Sequence, residues 1–361
     1  MDQSSYMPVT PVLPGDMEGL RLVSIDTKRV THPLFVIVKP RKRDSDQEGS
    51  FVAKAADLIV DTWRFGGVPF VELYDEPDAS DKDWWTFDHP LVLLHRHLRS
   101  RQVKAIPVTA TDRKGEYRDA VCAIVKELGN GLAVRLYEND LELPAETVAT
   151  LGNIAADSGC SKADIDILID LKRIHFQRLP ELRPRVLDFL TALDANAPYR
   201  SVTLAGSSVP LNLDGIPELQ DRNVPRLEWR LWRDVHVARG RRGAPSFGDY
   251  RTVRPEYDDR SKGFKHINAK IFYTTDEFLR VVRGQSRMKE KLELQYPQLA
   301  RRLVASGAAK SAAFSWGDAQ IAMCARWSEG FGMPVKWIAI TTSHHVEFVR
   351  VQLAQEFAHQ T

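Results

Sequence analysis

Long apolar runs are the first thing missing. No stretch of the 361 residues approaches the ~20 continuous apolar residues of a membrane-spanning helix. The opening MDQSSYMPVT has no basic segment followed by an apolar one, so neither membrane insertion nor secretion is expected. Cysteine is scarce. Cys122, Cys160 and Cys324 are odd in number and far apart in sequence, which argues against a disulfide framework and a cysteine-based zinc site and makes a reducing cytoplasm the expected compartment. Neither sign of charge is in excess: 50 Lys plus Arg against 48 Asp plus Glu leave +2, without the global field of a dedicated nucleic-acid or membrane-surface binder. Any such binding has to come from local clusters. The chain also lacks a Walker A sequence, a G-x-G-x-x-G after any early strand, and an H-E-x-x-H.

What is present is an ordinary globular composition, 43% hydrophobic and 27% charged, long enough by division for about two domains. Eight short apolar runs rich in β-branched residues recur over the first 250 residues: 7–13, 34–38, 69–74, 104–109, 132–137, 165–171, 201–205 and 246–253. Their spacing is mostly about 30 residues, the length of a strand, a crossover helix and two connections. The segments between have helical patterning. Phe51, Ala55, Leu58, Ile59 and Trp63 share a face before the stop Gly66-Gly67, and segments 90–101, 117–128, 144–156, 182–195 and 224–237 read similarly. A sheet closed by eight such units needs about 250 residues, so residues 1–255 are expected to form a (β/α)8 TIM-type barrel. An open doubly wound sheet also alternates strand and helix, but its dinucleotide fingerprint is absent. Residues 256–361 read as a mostly helical extension packed on the barrel. The expected pieces are a short strand at 269–273, a helix capped by Thr275 or Asp276 through Val282, helices at 289–305 and 318–329, and a last helix capped by Ser343.

Several motifs are specific enough to carry a resemblance: Phe247-Gly-Asp-Tyr-Arg-Thr, Ile271-Phe-Tyr-Thr-Thr with Arg283-Gly284, Phe314-Ser-Trp-Gly-Asp-Ala-Gln-Ile, and Trp337 followed by Thr342-Ser-His-His-Val. Together with a Tyr-x-Pro-type first strand and the acidic strand Leu168-Ile-Asp170, they make the chain resemble the beta protein family, named after a phage T4 protein and found in phages and bacteria. The resemblance implies a component of a phage-defence neighbourhood, with a protein partner in a multi-protein module. It supplies no settled catalytic mechanism and leaves any cofactor unknown. Two departures stand out. Leu13-Pro14 replaces the lysine expected at the end of the first strand, and Val36-Ile37-Val38-Lys39 carries no glutamate in the second. Chemistry that relied on those groups would be lost or relocated here.

In a barrel, functional side chains gather at the C-terminal ends of the strands. Candidates there are Lys39, Asp75, Thr111, Glu138, Asp170, Lys172, Ser207, Ser208, Asp249 and Arg251. Glu138, Asp170 and Asp249 are the carboxylates proposed for metal-assisted hydrolase or phosphodiesterase chemistry, with Lys172 or Arg251 stabilising an anion. Carboxylates at strand ends also cap helices or pair with a neighbouring cation. Asp170 stands out because it interrupts an apolar strand, where a buried charge needs a partner or a ligand. Asp249 stands out because it lies in the family-like FGDY.

Gly206-Ser207-Ser208 could cradle a phosphate or form a plain turn. The adjacent His344 and His345 project about 100° apart on a helix and lack metal-ligand geometry. They read as structural, one bonded to the turn at Ser315–Asp318 and the other exposed, with Asp318 as a helix N-cap. Basic clusters at Lys39, Arg41, Lys42 and Arg43, and at Arg226, Arg230, Arg233, Arg239, Arg241 and Arg242, could meet nucleic acid with Trp229 or Trp232, or be solvated faces. Trp84 and Trp85, in an acidic loop, could anchor a partner or fold back as a lid.

Overall fold

A computed structural model describes residues 4–38, 48–74, 88–196, 198–240, 243–257, 267–327 and 330–358. Eight parallel strands close a barrel: β1 (Tyr6–Pro11), β2 (Leu34–Ile37), β3 (Phe70–Leu73), β4 (Ile106–Ala110), β5 (Leu132–Leu136), β6 (Ile165–Arg173), β7 (Ser201–Ser207) and β9 (Ser246–Asp249). Each expected run overlaps one of them. The last strand pairs with both β7 and β1, which shuts the sheet and removes its edges.

Alternation along each strand sorts the core into two parts. Val134 and Leu136 of β5, and Ile167, Ile169 and Leu171 of β6, point outward onto helices. Their neighbours Ala133 and Leu168 point inward with Met7, Val9, Leu34, Val36, Phe70, Val108 and Tyr250. The helical wall consists of α1 (Pro14–Arg21) and α2 (Ile25–Arg29), then α3 (Glu48–Trp63), α4 (Pro90–Ser100), α5 (Glu116–Leu128), α6 (Pro144–Ser158), α7 (Leu179–Asp194) and α8 (Leu227–Arg239). Proline at the first turn of α4 and α6 needs no amide partner there, and left-handed Gly129 and Gly159 stop α5 and α6.

The C-terminal region departs from the expectation in three ways. Residues 278–286 form strand β11 (Phe278–Ser286) and not the helix expected from Thr275 or Asp276. Thr275 instead makes the hairpin turn, its amide and hydroxyl both donating to the Phe278 carbonyl at 2.8 Å. With β10 (Asn268–Thr274) and β8 (Asp221–Pro225), this strand makes a three-stranded antiparallel sheet in the order β10-β11-β8. The sheet therefore takes one edge strand from the connection between β7 and α8. After α9 (Leu292–Ala305) and α10 (Trp316–Arg326), the last helix α11 (Pro334–Ala358) starts well before Ser343, which lies buried within it.

Helix α11 completes the barrel wall. Val346, Val349 and Leu353 join the barrel core, and Phe357 meets Trp232 and His236 of α8 edge-on. Its other side, with Trp337 and Ile340, belongs to a second core formed by β10, β11, α9 and α10. Against α1 the approach is close enough to require glycine: a Cβ on Gly19 would lie 2.7 Å from the Ala339 carbonyl oxygen.

Burial also sets a pH dependence. His95 on α4 is buried with neither ring nitrogen hydrogen-bonded among the described residues, and burial pulls its pKa down to about 3. Burial pulls His89 down to about 4, and its Nδ1 accepts the Leu91 amide, so that ring must be neutral. Both folded pKa values lie below the ordinary ~6.5, so the unfolded chain binds more protons in between. Their contribution is complete above pH ~6.5 and is lost as the pH falls toward 4. Urea midpoints measured from pH 7 to 4.5 should fall. His95→Leu should flatten that fall by up to about 1 kcal/mol per pH unit, and parallel curves for variant and wild type would refute the assignment.

Candidate functional site

Alternation aims three charged side chains at the barrel axis. Glu72 follows outward Val71 on β3, Arg135 follows outward Val134 on β5, and Asp170 follows outward Ile169 on β6. All three are buried, and they meet. Arg135 donates from Nε and Nη2 to Asp170 Oδ2 at 2.9 and 2.6 Å, and from Nη1 to Glu72. Tyr250, just past the end of β9, accepts from Arg135 Nη2 at 2.7 Å and donates to Asp170 Oδ2 at 2.6 Å. Asp170 Oδ1 takes the Lys172 amide at 2.9 Å.

Burial by itself would lower the pKa of Arg135, but Glu72, Tyr250 and Asp170 more than offset this and hold it well above its ordinary value. Burial raises Tyr250 well above the usual tyrosine value, so its hydroxyl keeps the proton it donates. The result is a closed network in which each charge is met by an opposite charge or a hydrogen-bond donor.

Lys172 sits above this network in the left-handed region, with φ of +48°, at an irregularity in the β6–β7 pairing. A non-glycine residue there costs about 1–2 kcal/mol. Its ammonium lies 4.5 Å from the centre of the Tyr137 ring. Arg113 adds a second rim cation, 3.8 Å from Glu72 and donating to the Leu73 and Tyr74 carbonyls at 3.0 and 2.7 Å. Tyr74 and Tyr257 meet edge to face nearby, so the rim is cationic and aromatic.

The three carboxylates proposed for chemistry are not brought together. Glu138 lies in the short turn Glu138–Leu141 and is held by Arg178 and by Arg185 at 3.1 Å. Asp170 is inside the barrel. Asp249 shares the outward side of β9 with Phe247 and faces α11 across the barrel wall. There it accepts from Tyr6 at 2.6 Å, from His345 Nε2 at 2.8 Å and from the Arg251 amide at 2.8 Å.

His345 is therefore buried and not the exposed member of the histidine pair. Its Nδ1 accepts from the Thr274 hydroxyl at 2.6 Å, a pattern that assigns the proton to Nε2. Burial holds His345 below its ordinary pKa against the opposing effect of Asp249. Burial would raise Asp249, but His345, Arg226 and Tyr6 hold it below the ordinary range. The sequence Asp249–His345–Thr274 has the connectivity that activates a nucleophile. Thr274 is fully buried, however, so this is an internal tie.

His344 does bond the turn, through Asp318 at 2.8 Å, while Asp318 also accepts from Tyr273 at 2.6 Å. The N-cap of α10 is Ser315 and not Asp318, whose amide donates to the Ser315 hydroxyl at 3.0 Å.

The anion-binding candidates are also occupied. Arg251, with φ of +58°, turns inward to Asp16 at 2.7 Å and Thr342 at 3.1 Å, joining α1 to α11. Ser207 accepts the Val209 amide at 3.2 Å, and Ser208 accepts the Leu227 amide at the start of α8 at 2.6 Å while donating to Glu228. Gly206-Ser207-Ser208 is thus a turn that engages a helix. Burial pushes Glu228 up to about 7 against the charge of Arg226. Thr111 donates to Asp140 at 2.6 Å.

The arginine cluster on α8 is dispersed. Arg226 is buried with its Nη1 on Gln352 at 2.7 Å, Arg230 and Arg233 share Glu277, and Arg239 pairs with Asp194. Trp229 and Trp232 are buried and stacked on one another. Lys39, Arg41, Lys42, Arg43, Asp75, Trp84, Trp85, Arg241 and Arg242 lie outside the described residues.

Three of the four network residues, Glu72, Arg135 and Tyr250, are not among the candidates, yet Glu72 and Arg135 each interrupt an apolar strand just as Asp170 does. Among the described residues no group of three or more His, Cys, Asp or Glu side chains is arranged to hold a metal ion. Cavities elsewhere include one of about 240 Å³ lined by His32, Lys104, Asp166 and Arg200, and one of about 640 Å³ lined by Cys122 and Cys160.

Compared with known proteins, the chain matches the family model described as Beta protein over residues 6–350. The chain belongs to the Beta protein family. No curated protein matches it. The match spans the barrel, the small sheet and most of α11, so the axial network and the Asp249–His345 tie both lie inside the family region of this Beta protein.

The Tyr250 hydroxyl bridges two of the axial charges, accepting from Arg135 and donating to Asp170. Tyr250→Phe should lower unfolding stability by about 1–3 kcal/mol with the fold retained, because Arg135 and Asp170 each lose a buried hydrogen bond. Urea unfolding followed by tryptophan fluorescence reads this, and an unchanged midpoint would show that the hydroxyl is not in the network.

Proposed function

We propose that this Beta protein acts as a barrel scaffold that binds a protein partner within a multi-protein module of phage–host conflict. One observation carries the choice of scaffold over hydrolase: the ionisable groups on the barrel axis are hydrogen-bonded to one another, and Glu138, Asp170 and Asp249 face a rim turn, the interior and the outer wall respectively. A metal-assisted hydrolase or phosphodiesterase would need carboxylates sharing one open cleft. The family membership supports the phage–host context. Three free cysteines, together with the lack among the described residues of a helix long and apolar enough to cross a membrane, support a cytoplasmic assembly.

The test is genetic and biochemical together. In cells carrying the intact gene neighbourhood, Lys172→Ala and Glu138→Gln proteins that fold normally should protect against phage as well as wild type. The tagged full-length chain should co-elute with the product of a neighbouring gene at fixed stoichiometry. Loss of protection to the empty-vector level in both variants, with the complex intact, would favour chemistry at the barrel rim and overturn the scaffold assignment.

A further inference from the structure

The three-stranded sheet turns its two faces to different surroundings. Ala269, Ile271, Tyr273 and Val282 are sealed in the second core by α9, α10 and α11. The strand register defines the opposite face. Lys270 stands directly across from Arg283, Phe272 across from Val281, and Val281 across from Arg222 on β8. Leu213 and Ile216 cover Val281 in the middle. Lys270 and Arg222 are left exposed on either side of that cover, with Phe272 and Arg283 partly exposed.

Several arginines elsewhere sit on shared carboxylates. Arg280 and Arg302 share Asp221, Arg230 and Arg233 share Glu277, and Arg178 and Arg185 share Glu138. Among the described residues, Lys270, Arg222 and Arg283 have no carboxylate within ion-pair distance. Arg283 donates to the Leu213 and Ile216 carbonyls, and the Lys270 ammonium lies 5.8 Å from the Phe272 ring centre. Like charges directly across a strand pair destabilise a sheet. This pair is therefore maintained at a cost to the free protein, which an external anion would remove.

We propose that this face binds single-stranded nucleic acid, with phosphates at Lys270, Arg283 and Arg222 and a base stacked on Phe272. A sheet face that combines cations with an aromatic ring offers both interactions an unpaired strand provides, backbone charge and an open base face. A duplex hides its base faces and an acidic peptide has none, so neither uses Phe272. The site shares no residue with the axial network, and it stands whether or not the barrel is a scaffold.

Fluorescence anisotropy of the full-length protein with a labelled oligo-deoxythymidine, over a series of salt concentrations, tests this. Binding should weaken steeply with salt. Lys270→Glu and Arg222→Glu should each weaken it by about tenfold or more, and Phe272→Ala by a similar factor through lost stacking. Lys54→Glu, an exposed charge on α3, should leave it unchanged. Folding is not at risk in the key variant, because Lys270→Glu converts a repulsive cross-strand pair into an attractive one, and its melting temperature should not fall. No binding at low salt, equal loss in Lys54→Glu, or equal affinity for a duplex or for polyglutamate would each overturn the proposal.

Discussion

A guanidinium deprived of water governs the centre of this molecule. Arg135 is fully buried, and an isolated ion of that size would cost several kcal/mol even after relaxation. It is tolerated because Glu72, Asp170 and Tyr250 surround it with oxygen. These partners come from β3, β6 and the residue after β9, so one side chain ties three other parts of the barrel together. The tie also specifies register. A one-residue slip of β5 would send Arg135 into the helical wall and bring Val134 or Leu136 onto the two carboxylates.

The outer wall repeats the principle with different chemistry. Asp249 leaves the barrel on the side opposite Tyr250, its neighbour in sequence, and finds Tyr6, His345 and the Arg251 amide. Since His345 belongs to α11, this hydrogen-bond set holds the C-terminal helix where an eighth barrel helix would stand. His344, the next residue along α11, reaches Asp318 and the Thr274 carbonyl on the other side. The adjacent histidines thus serve the two cores that α11 separates, which is what side chains about 100° apart on one helix can do.

Much of this architecture was legible in the residues. Eight runs spaced about one βα unit apart announced the closed barrel, and Asp170 announced its need for a partner by interrupting an apolar strand. Applied to FVELY and LAVRLY, the same period-two argument would have identified Glu72 and Arg135. Asp249 stands out by its motif, although alternation with Phe247 directs it outward. The first half of helix α11 has no clear sequence signature because the helix is buried on both flanks by different cores, so its apolar residues form no single stripe. The capping residues Thr275 and Asp276 point to a helix, but the β-branched pair Val281-Val282 favours the strand β11. No local signal tells that Asp221–Pro225 pairs with a strand more than fifty residues later.

The proposed scaffold role rests on the closed axial network and on the separation of the candidate carboxylates. That account depends on Arg135 being an internal counter-ion and not a ligand-binding group waiting for an anion. Unfolding free energies of Arg135→Met, alone and combined with Glu72→Gln and Asp170→Asn, decide this most directly. The account predicts a loss of about 3–5 kcal/mol for the single variant, from two stranded carboxylates, and recovery of most of it in the triple variant. If Arg135→Met were neutral or stabilising by itself, and the added substitutions changed nothing, the network would not be what holds the barrel closed.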